Sequence, residues 1–241
     1  MRDQSARSRK VPSGPRRRQQ EHSLAIRPSR VRRYSERPRL DGGSTGHTKV
    51  TDIVTFVRHT LEQLGDLADT HGGYFTTAEA GRAGLSRRAL SHHAATGTLE
   101  RVGHGIYRLR LYPASRFEDL IVAALWAGPD SAVSHESALV VHELGEAMPP
   151  VVHLTIPRPF RGRRPGVVVY QRPLTGNERV FVDAVPVTSV ERTLADVAES
   201  SDPGLVRTAA TEALDRGRTT RRRLERAVSN PAARDLLLGF R

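Results

Sequence analysis

Ser134, His135 and Glu136 stand side by side in the segment SHES and are the residue types that build a nucleophilic relay. Such a relay needs the hydroxyl, the imidazole and the carboxylate in one hydrogen-bonded line. Successive side chains on a helix point about 100° apart, so three adjacent residues do not form that line among themselves. The pattern instead predicts that Ser134 caps a helix that continues to Leu144.

The segment HELGE, which runs from His142 to Glu146, matches half of a zinc-protease motif. That motif has a second histidine four residues after the first, so that both ligands lie on one helix face, but this chain has Glu146 there. His135 and His142 are seven residues apart and can share a helix face, yet no third ligand is evident. The chain has no cysteine, which excludes cysteine-bound zinc and thiolate nucleophiles. We expect no metal and no cofactor.

Lysine-dependent chemistry is excluded from most of the chain, because Lys10 and Lys49 are its only lysines. A P-loop lysine, a Schiff-base lysine or a nuclease lysine is therefore absent beyond residue 49. We predict no catalytic residues and no enzymatic activity. An enzyme such as a nuclease, with its site in residues 113–241, stays open as an alternative.

The positive charge, formally +12, is concentrated in two segments. Residues 1–49 hold 14 Lys and Arg against 4 Asp and Glu, and residues 71–112 hold 6 Arg against 2 acids. Clustered cations suit a polyanion, because each phosphate contact releases condensed counterions. The charge distribution therefore favours nucleic acid as the partner.

Residues 1–49 are predicted to be a disordered basic tail, because their few apolar residues cannot offset the entropy of ordering. The tail is either a nonspecific DNA-binding arm or an extension upstream of the true start. No apolar segment follows the basic N-terminus, and no run approaches the roughly 18 apolar residues of a membrane-spanning helix. We expect a cytoplasmic protein that does not associate with membranes.

Residues 50–112 show the first elements of a winged helix-turn-helix. Apolar residues recur at a helical period over residues 50–69, which predicts a first helix. Thr76 or Thr77 can cap a second, short helix that ends near Ala83. Both elements match the start of that fold.

The remaining elements follow in the expected order. Ser86 can cap a third helix that ends near Thr96, where Gly97 is a stop signal. Two short strands, Leu99–Val102 and Ile106–Leu109, then flank a glycine-containing turn. The order of helix, helix, turn, helix and hairpin predicts a winged helix-turn-helix over residues 50–112.

The helix after Ser86 has the two faces that a DNA-reading helix requires. With steps of about 100° per residue, Leu90, His93 and Ala94 fall on one face. The opposite face carries Arg88, Ser91 and His92, and Arg87 lies on the flank. Arginine can pair with guanine through two hydrogen bonds, and wing residues are expected to contact phosphate. The predicted DNA-binding residues are Ser86, Arg87, Arg88, Ser91 and His92 on the helix, and Arg101, His104, Arg108 and Arg110 on the wing.

Residues 113–241 are predicted to form a mixed α/β domain, which makes the whole chain α+β. The segments VVHLTIP, GVVVYQ and RVFVDAVPV each indicate one strand. A capping box from Thr188 to Glu191 precedes a helix, and two more helices are expected at about 203–217 and 219–229. The predicted architecture is a small sheet with several helices.

A second basic patch is predicted in the loop PRPFRGRRPG between the first two of these strands. Two interpretations are equally open. The loop either grips phosphate or meets a toxin or RNA, or it is a solvated hairpin loop. The residues of this patch are Arg158, Arg161, Arg163 and Arg164.

The chain resembles the AbiEi family of antitoxins from type IV toxin–antitoxin systems. The resemblance rests on GGYFTTAEAGRAGLSRRALSHHAATGTLERVGHGIYRL, YPASRFEDLIVAALW, SHESALVVHEL, PPVVHLTIP and VPVTSVERTLADVA, which occur in the family's order with short spacers. They span about residues 71–200.

The resemblance implies a winged helix that binds the protein's own promoter DNA and represses the operon, followed by a domain needed for antitoxicity. The neighbouring toxin would be a nucleotidyltransferase-like protein, opposed without a stable inhibitory complex. The basic tail departs from the family's pattern. A winged-helix regulator unconnected with any toxin is the alternative function.

Overall fold

The computed structural model describes residues 71–239 and shows a mixed α/β protein with two sheets and eight helices in that range. This confirms the mixed α/β character predicted from the sequence. The predicted basic tail, residues 1–49, and the predicted first helix, residues 50–69, lie outside the described residues.

Residues 71–112 form what we call the helix-hairpin unit. Its elements are β1 (Tyr74–Thr76), α1 (Thr77–Arg82), α2 (Arg87–Ala95), β2 (Leu99–Gly103) and β3 (Ile106–Leu109). The strands pair antiparallel in the order β1-β3-β2. The two predicted helices and the predicted hairpin are therefore present, to within one residue at their ends. Strand β1 was not predicted, because three residues are too short for an alternating pattern.

Local capping signals set the ends of both helices in this unit. The Thr76 hydroxyl accepts a hydrogen bond from the backbone N–H of Glu79, and the Glu79 carboxylate accepts one from the Thr76 N–H, which completes a capping box. Ser86 caps α2 by accepting from the Ala89 N–H at 3.1 Å. Gly84 has a φ of +92° at the turn between the helices, a conformation that strains a residue with a Cβ atom.

Residues 113–239 build a five-stranded mixed sheet and six helices. These elements are α3 (Glu118–Ala127), β4 (Ala132–Val133), α4 (His135–His142), β5 (Val152–Ile156), β6 (Val167–Gln171), β7 (Arg179–Val182), β8 (Val185–Thr188), α5 (Val190–Ser200), α6 (Pro203–Asp215), α7 (Arg221–Ala227) and α8 (Pro231–Leu238). The strand order is β6-β5-β4-β8-β7. None of the helices in the described range is long and apolar enough to cross a bilayer.

The segment RVFVDAVPV is two strands rather than the single strand predicted. It folds into the β7–β8 hairpin, with Asp183 at φ +48° and Ala184 at φ +67° in the turn. Two consecutive positive φ values are typical of a two-residue hairpin turn, for which Asn-Gly or Asp-Gly is the usual signal. Asp183 tolerates this conformation but Ala184 does not favour it, so the residue types at these two positions do not indicate a turn.

Two further corrections concern helix ends. The cap of α5 is Ser189, which accepts from the Arg192 N–H at 3.3 Å, so the capping box predicted from Thr188 to Glu191 is wrong by one residue. Helix α8 was not predicted, although Asn230 caps it and Pro231 occupies its first position. Its eight residues give too short a window for a clear apolar period.

Helix α3 joins the helix-hairpin unit to the larger sheet. Tyr74 and Ile106 from the unit lie in one apolar core with Ile121 and Val122 of α3. The buried Tyr74 hydroxyl donates to Glu118 Oε2 at 2.8 Å and accepts from the Ser115 N–H at 3.0 Å. Residues on either side of the predicted boundary at residue 112 therefore share a core and a hydrogen-bond network.

We expect Tyr74→Phe to lower the free energy of unfolding by about 1–3 kcal/mol, because it leaves the Ser115 N–H without a partner and removes one hydrogen bond from Glu118. Chemical denaturation followed by circular dichroism measures this loss. The matched control is Tyr107→Phe. The Tyr107 hydroxyl has no hydrogen-bond partner in the described part of the chain, so its removal should change the free energy of unfolding by less than about 0.5 kcal/mol. Equal effects of the two variants would contradict this interpretation of Tyr74.

Candidate nucleic-acid interface

Helix α2 is held by its apolar side and presents its polar side to solvent. Leu90 is 1% exposed and packs with Leu85, Leu99 and Leu109 in the core of the helix-hairpin unit. The opposite side carries exposed side chains, as the 100° steps predicted. These exposed residues are Arg87, Arg88, Ser91 and His92.

The first turn of α2 carries two arginines and no acidic residue. Helix N-termini are electropositive, so Arg87 and Arg88 stand where a cation is least favourable. Neither guanidinium has a hydrogen-bond or ion-pair partner among residues 71–239. The two side chains are therefore free to pair with an external anion, and their placement gives the isolated helix no stability.

The two serines on α2 take part in hydrogen bonds within the helix. Ser86 Oγ accepts the capping bond described above, and Ser91 Oγ donates to the Arg87 carbonyl oxygen at 3.0 Å. A hydroxyl oxygen has a second lone pair, so each can still accept from an external donor. Both serines are exposed, but their first role in the free protein is to stabilise α2.

The two histidines of α2 differ in their surroundings. His92 is exposed, whereas His93 is half-buried, and their rings lie 5.7 Å apart between centroids. Burial lowers the pKa of His93, and the neighbouring His92 lowers it further. His93 therefore stays neutral near pH 7 and faces the scaffold, which leaves His92 as the histidine on the outward face.

The β2–β3 hairpin exposes three of the four basic residues predicted for the wing. Arg101, His104 and Arg110 are exposed. Arg101 Nε donates to the carbonyl oxygen of Gly103 at 3.3 Å. Both residues lie in β2, where the pairing with β3 shifts register. This bond leaves the rest of the Arg101 guanidinium open to solvent.

Arg108 does not match its predicted place on the outer surface of the wing. Its side chain is only 12% exposed, and it forms an ion pair with Glu100, its direct cross-strand neighbour in β2. It also donates to the Tyr112 carbonyl oxygen at 2.7 Å and lies 3.7 Å from Glu118. The guanidinium therefore ties the hairpin to α3 rather than facing outward.

The second basic patch is divided by the fold. Strands β5 and β6 are parallel, so the loop between them is a crossover connection. The prediction of a hairpin loop at this position is therefore wrong. Arg158 donates to the Ala127 carbonyl oxygen at 2.9 Å, where a cation complements the C-terminal end of α3. Arg161 and Arg163 are exposed, and Arg164 is half-buried.

Arg82 is a candidate that the sequence analysis missed. It is exposed in the last turn of α1, within the helix-hairpin unit, and has no partner among residues 71–239. A cation in a last turn is the usual complement to the helix dipole, so the position of Arg82 in the sequence does not by itself indicate a DNA contact.

One family model matches a segment that includes most of the helix-hairpin unit. Residues 62–110 match a family model described as "Transcriptional regulator, AbiEi antitoxin". The match confirms the family resemblance predicted from the sequence, but only for residues 62–110. No curated protein matches the chain.

A solved structure similar to this chain is the crystal structure of RV2827C protein from Mycobacterium tuberculosis. The two chains are 16% identical, with a TM-score of 0.43, over 75% of this chain and 76% of the other. Similarity at this level says nothing about the function of either chain.

The histidines that first suggested chemistry are buried and bonded to separate partners. His142 Nε2 donates to the Thr188 carbonyl oxygen at 2.7 Å. His135 stacks on Tyr170 with 3.7 Å between ring centroids, and the Ser134 hydroxyl bonds its Nδ1 instead of capping α4 as predicted. No group of three or more His, Cys, Asp or Glu within residues 71–239 is arranged to hold a metal ion.

His135 is strained as well as buried. Its φ is +52° and its exposed fraction is 2%. Burial, together with the nearby charges of His153, Arg172 and Arg192, lowers its pKa to about 3. His135 is therefore neutral in the folded protein, whereas it protonates near pH 6.5 once unfolded.

We expect acid to destabilise the protein through His135. Because the folded pKa lies below the unfolded one, the unfolded state binds more protons between about pH 6.5 and 3, and stability falls as pH falls through that window. From pH 7 to 5 this group alone accounts for about 2 kcal/mol. His135→Asn keeps a residue that tolerates positive φ and should reduce the pH dependence by about that amount.

Urea denaturation at pH 7, 6 and 5 measures this dependence. The exposed His104→Asn is the matched control and should retain the slope of the parent protein. Parallel slopes for His135→Asn and the parent would show that His135 is protonated in the folded state.

Proposed function

We propose that this chain is a DNA-binding antitoxin that represses its own operon. In this proposal α2 enters the major groove and the β2–β3 hairpin contacts the flanking backbone. The observation that carries it is the pair Arg87 and Arg88, exposed and unpaired in the first turn of a helix whose other face is anchored in a core.

The residues on the outward face suit the chemistry of the major groove. Arg87 and Arg88 can each donate two hydrogen bonds to the O6 and N7 atoms of guanine. Ser91 and His92 lie on the same face, where each can meet a phosphate or a base edge. The cost of two cations at a helix N-terminus is removed when DNA supplies the negative charge that α2 lacks.

The hairpin residues are assigned to the backbone and not to bases. Arg101, His104 and Arg110 are exposed near the turn and strand ends, where contacts fix orientation without reading sequence. Arg108 and Arg158 are left out of this interface, because contacts within the fold occupy them. The interface we propose is therefore smaller than the set predicted from the sequence.

The predicted helix over residues 50–69 completes the proposed winged helix-turn-helix. In such domains a further helix packs beside the turn and the recognition helix. The family match begins at residue 62 and so includes the end of that segment.

The antitoxin role rests on the family match, together with the segments of residues 113–200 that resemble the family. The proposed partner is a nucleotidyltransferase-like toxin encoded beside this gene and opposed without a stable complex. The role of residues 113–239 would then be antitoxicity. A neighbouring gene without that fold would instead favour a regulator unconnected with a toxin.

Replacing both Arg87 and Arg88 tests whether α2 contacts the bases of the DNA. We expect Arg87→Ala with Arg88→Ala to weaken binding to the upstream DNA by at least about 30-fold, because each lost base contact costs about 1–3 kcal/mol. The melting temperature should stay the same or rise slightly, since alanine favours helix and two unfavourable cations are gone. Gel shift and thermal unfolding give the two readouts.

The matched control is Arg207→Ala with Arg226→Ala, which removes the same charge from exposed positions on α6 and α7 that have no partner in the described part of the chain. It should bind upstream DNA within about threefold of the parent, which is the nonspecific effect of lower net charge. Equal loss in both double variants would mean that net charge, rather than α2, governs binding.

A further inference from the structure

A cavity of about 670 Å³ lies at one end of the larger sheet. Its walls come from the first turns of α3, from one face of α4, and from the ends of β5 and β6 where Val152 pairs with Val167. Small-molecule sites in proteins measure about 300–1,000 Å³, so the cavity has the size of a ligand site.

The floor of the cavity is apolar core that no other part of the described chain covers. Leu120, Val140, Val152 and Val167 all pack against the main core, yet each remains partly exposed on the cavity side. Burying that surface against an apolar ligand contributes about 25 cal/mol for each Å² removed from water. The floor therefore favours a ligand with an apolar body.

The rim of the cavity is stiff. Pro149 and Pro150 form one side, between α4 and β5, and Pro165 lies on the opposite loop before β6. Proline fixes φ, so these segments lose little further freedom when a ligand binds. The cavity is thus formed in advance and needs no closure.

The two arginines of the cavity differ in availability. Arg116 donates to Glu143 at 2.7 Å and lies 3.2 Å from Asp183, so its charge is already neutralised. Arg164 lines the same cavity, is half-buried, and has no hydrogen-bond or ion-pair partner within residues 71–239. Asp119, the acidic residue of the wall, lies in the first turn of α3, where the helix dipole favours it.

We propose that this cavity binds a small ligand with an apolar body and one carboxylate, and that Arg164 pairs with the carboxylate. A planar guanidinium accepts a carboxylate in a two-bonded geometry, and partial burial strengthens the pair relative to a fully exposed one. The apolar floor and the single unpaired cation are the complement of such a molecule. The site is separate from α2 and does not depend on the proposed DNA binding.

The test uses 4-phenylbutyrate and its uncharged analogue 4-phenylbutanamide as probes with the full-length protein. Affinities are measured by ligand-observed NMR and calorimetry, without DNA. We expect the carboxylate to bind about 10-fold more tightly than the amide, because only the carboxylate gains a charge-assisted pair with Arg164.

Two variants of adjacent residues locate the pair. Arg164→Gln should remove the preference for the carboxylate, whereas the exposed neighbour Arg163→Gln should keep it with the same loss of charge. Val140→Phe fills the cavity and should weaken both probes. Because Arg164 and Arg163 lie in a loop, their variants test the site even if the cavity-filling variant fails to fold.

Three results would overturn the proposal. The first is no binding of 4-phenylbutyrate to the parent protein, and the second is equal affinity for the acid and the amide. The third is a carboxylate preference that survives in Arg164→Gln, which would place the anion elsewhere. None of these results bears on DNA binding, so failure here leaves the proposed function standing.

Discussion

The interface depends on the anchoring of one apolar side of α2. Leu85 and Leu90 belong to a core that has six buried members within residues 71–239, and this core fixes the rotation of the helix. With Leu90 inside, Arg88 falls on the opposite face of α2 and Arg87 on its flank, and the structure exposes both side chains. The bond from Tyr74 to Glu118 links this unit to α3, and the ion pair between Arg108 and Glu100 links the two strands of its hairpin.

Local chemistry made part of the fold predictable. Cap candidates at Thr76 or Thr77 and at Ser86 predicted α1 and α2, and the structure shows a Thr76–Glu79 capping box and a Ser86 cap that each act within four residues. Two of the features that were missed depend on distant partners. Strand β1 is defined by its pairing with β3, and the parallel register of β5 and β6 has no local signal, since it is fixed by the strands around it.

The difference between local signals and distant partners also explains which site residues could be predicted from the sequence. The outward residues of α2 follow from one helical period, and the structure exposes all four of them. Arg108 and Arg158 were assigned to surfaces because a lone arginine gives no hint of its partner. Their partners, Glu100 across the hairpin and the Ala127 carbonyl at the end of α3, emerge only once strands and helices are assembled.

The most direct test of the account is a titration of the full-length protein against its own upstream DNA and a scrambled duplex of equal length, over a range of salt concentrations. Phosphate contacts weaken steeply as salt rises, whereas base contacts preserve a preference between duplexes. If α2 reads sequence, the upstream DNA stays preferred as salt increases. Equal affinities for the two duplexes, both falling as salt rises, would contradict sequence reading by α2. The basic face of α2 would then be a nonspecific phosphate-binding surface.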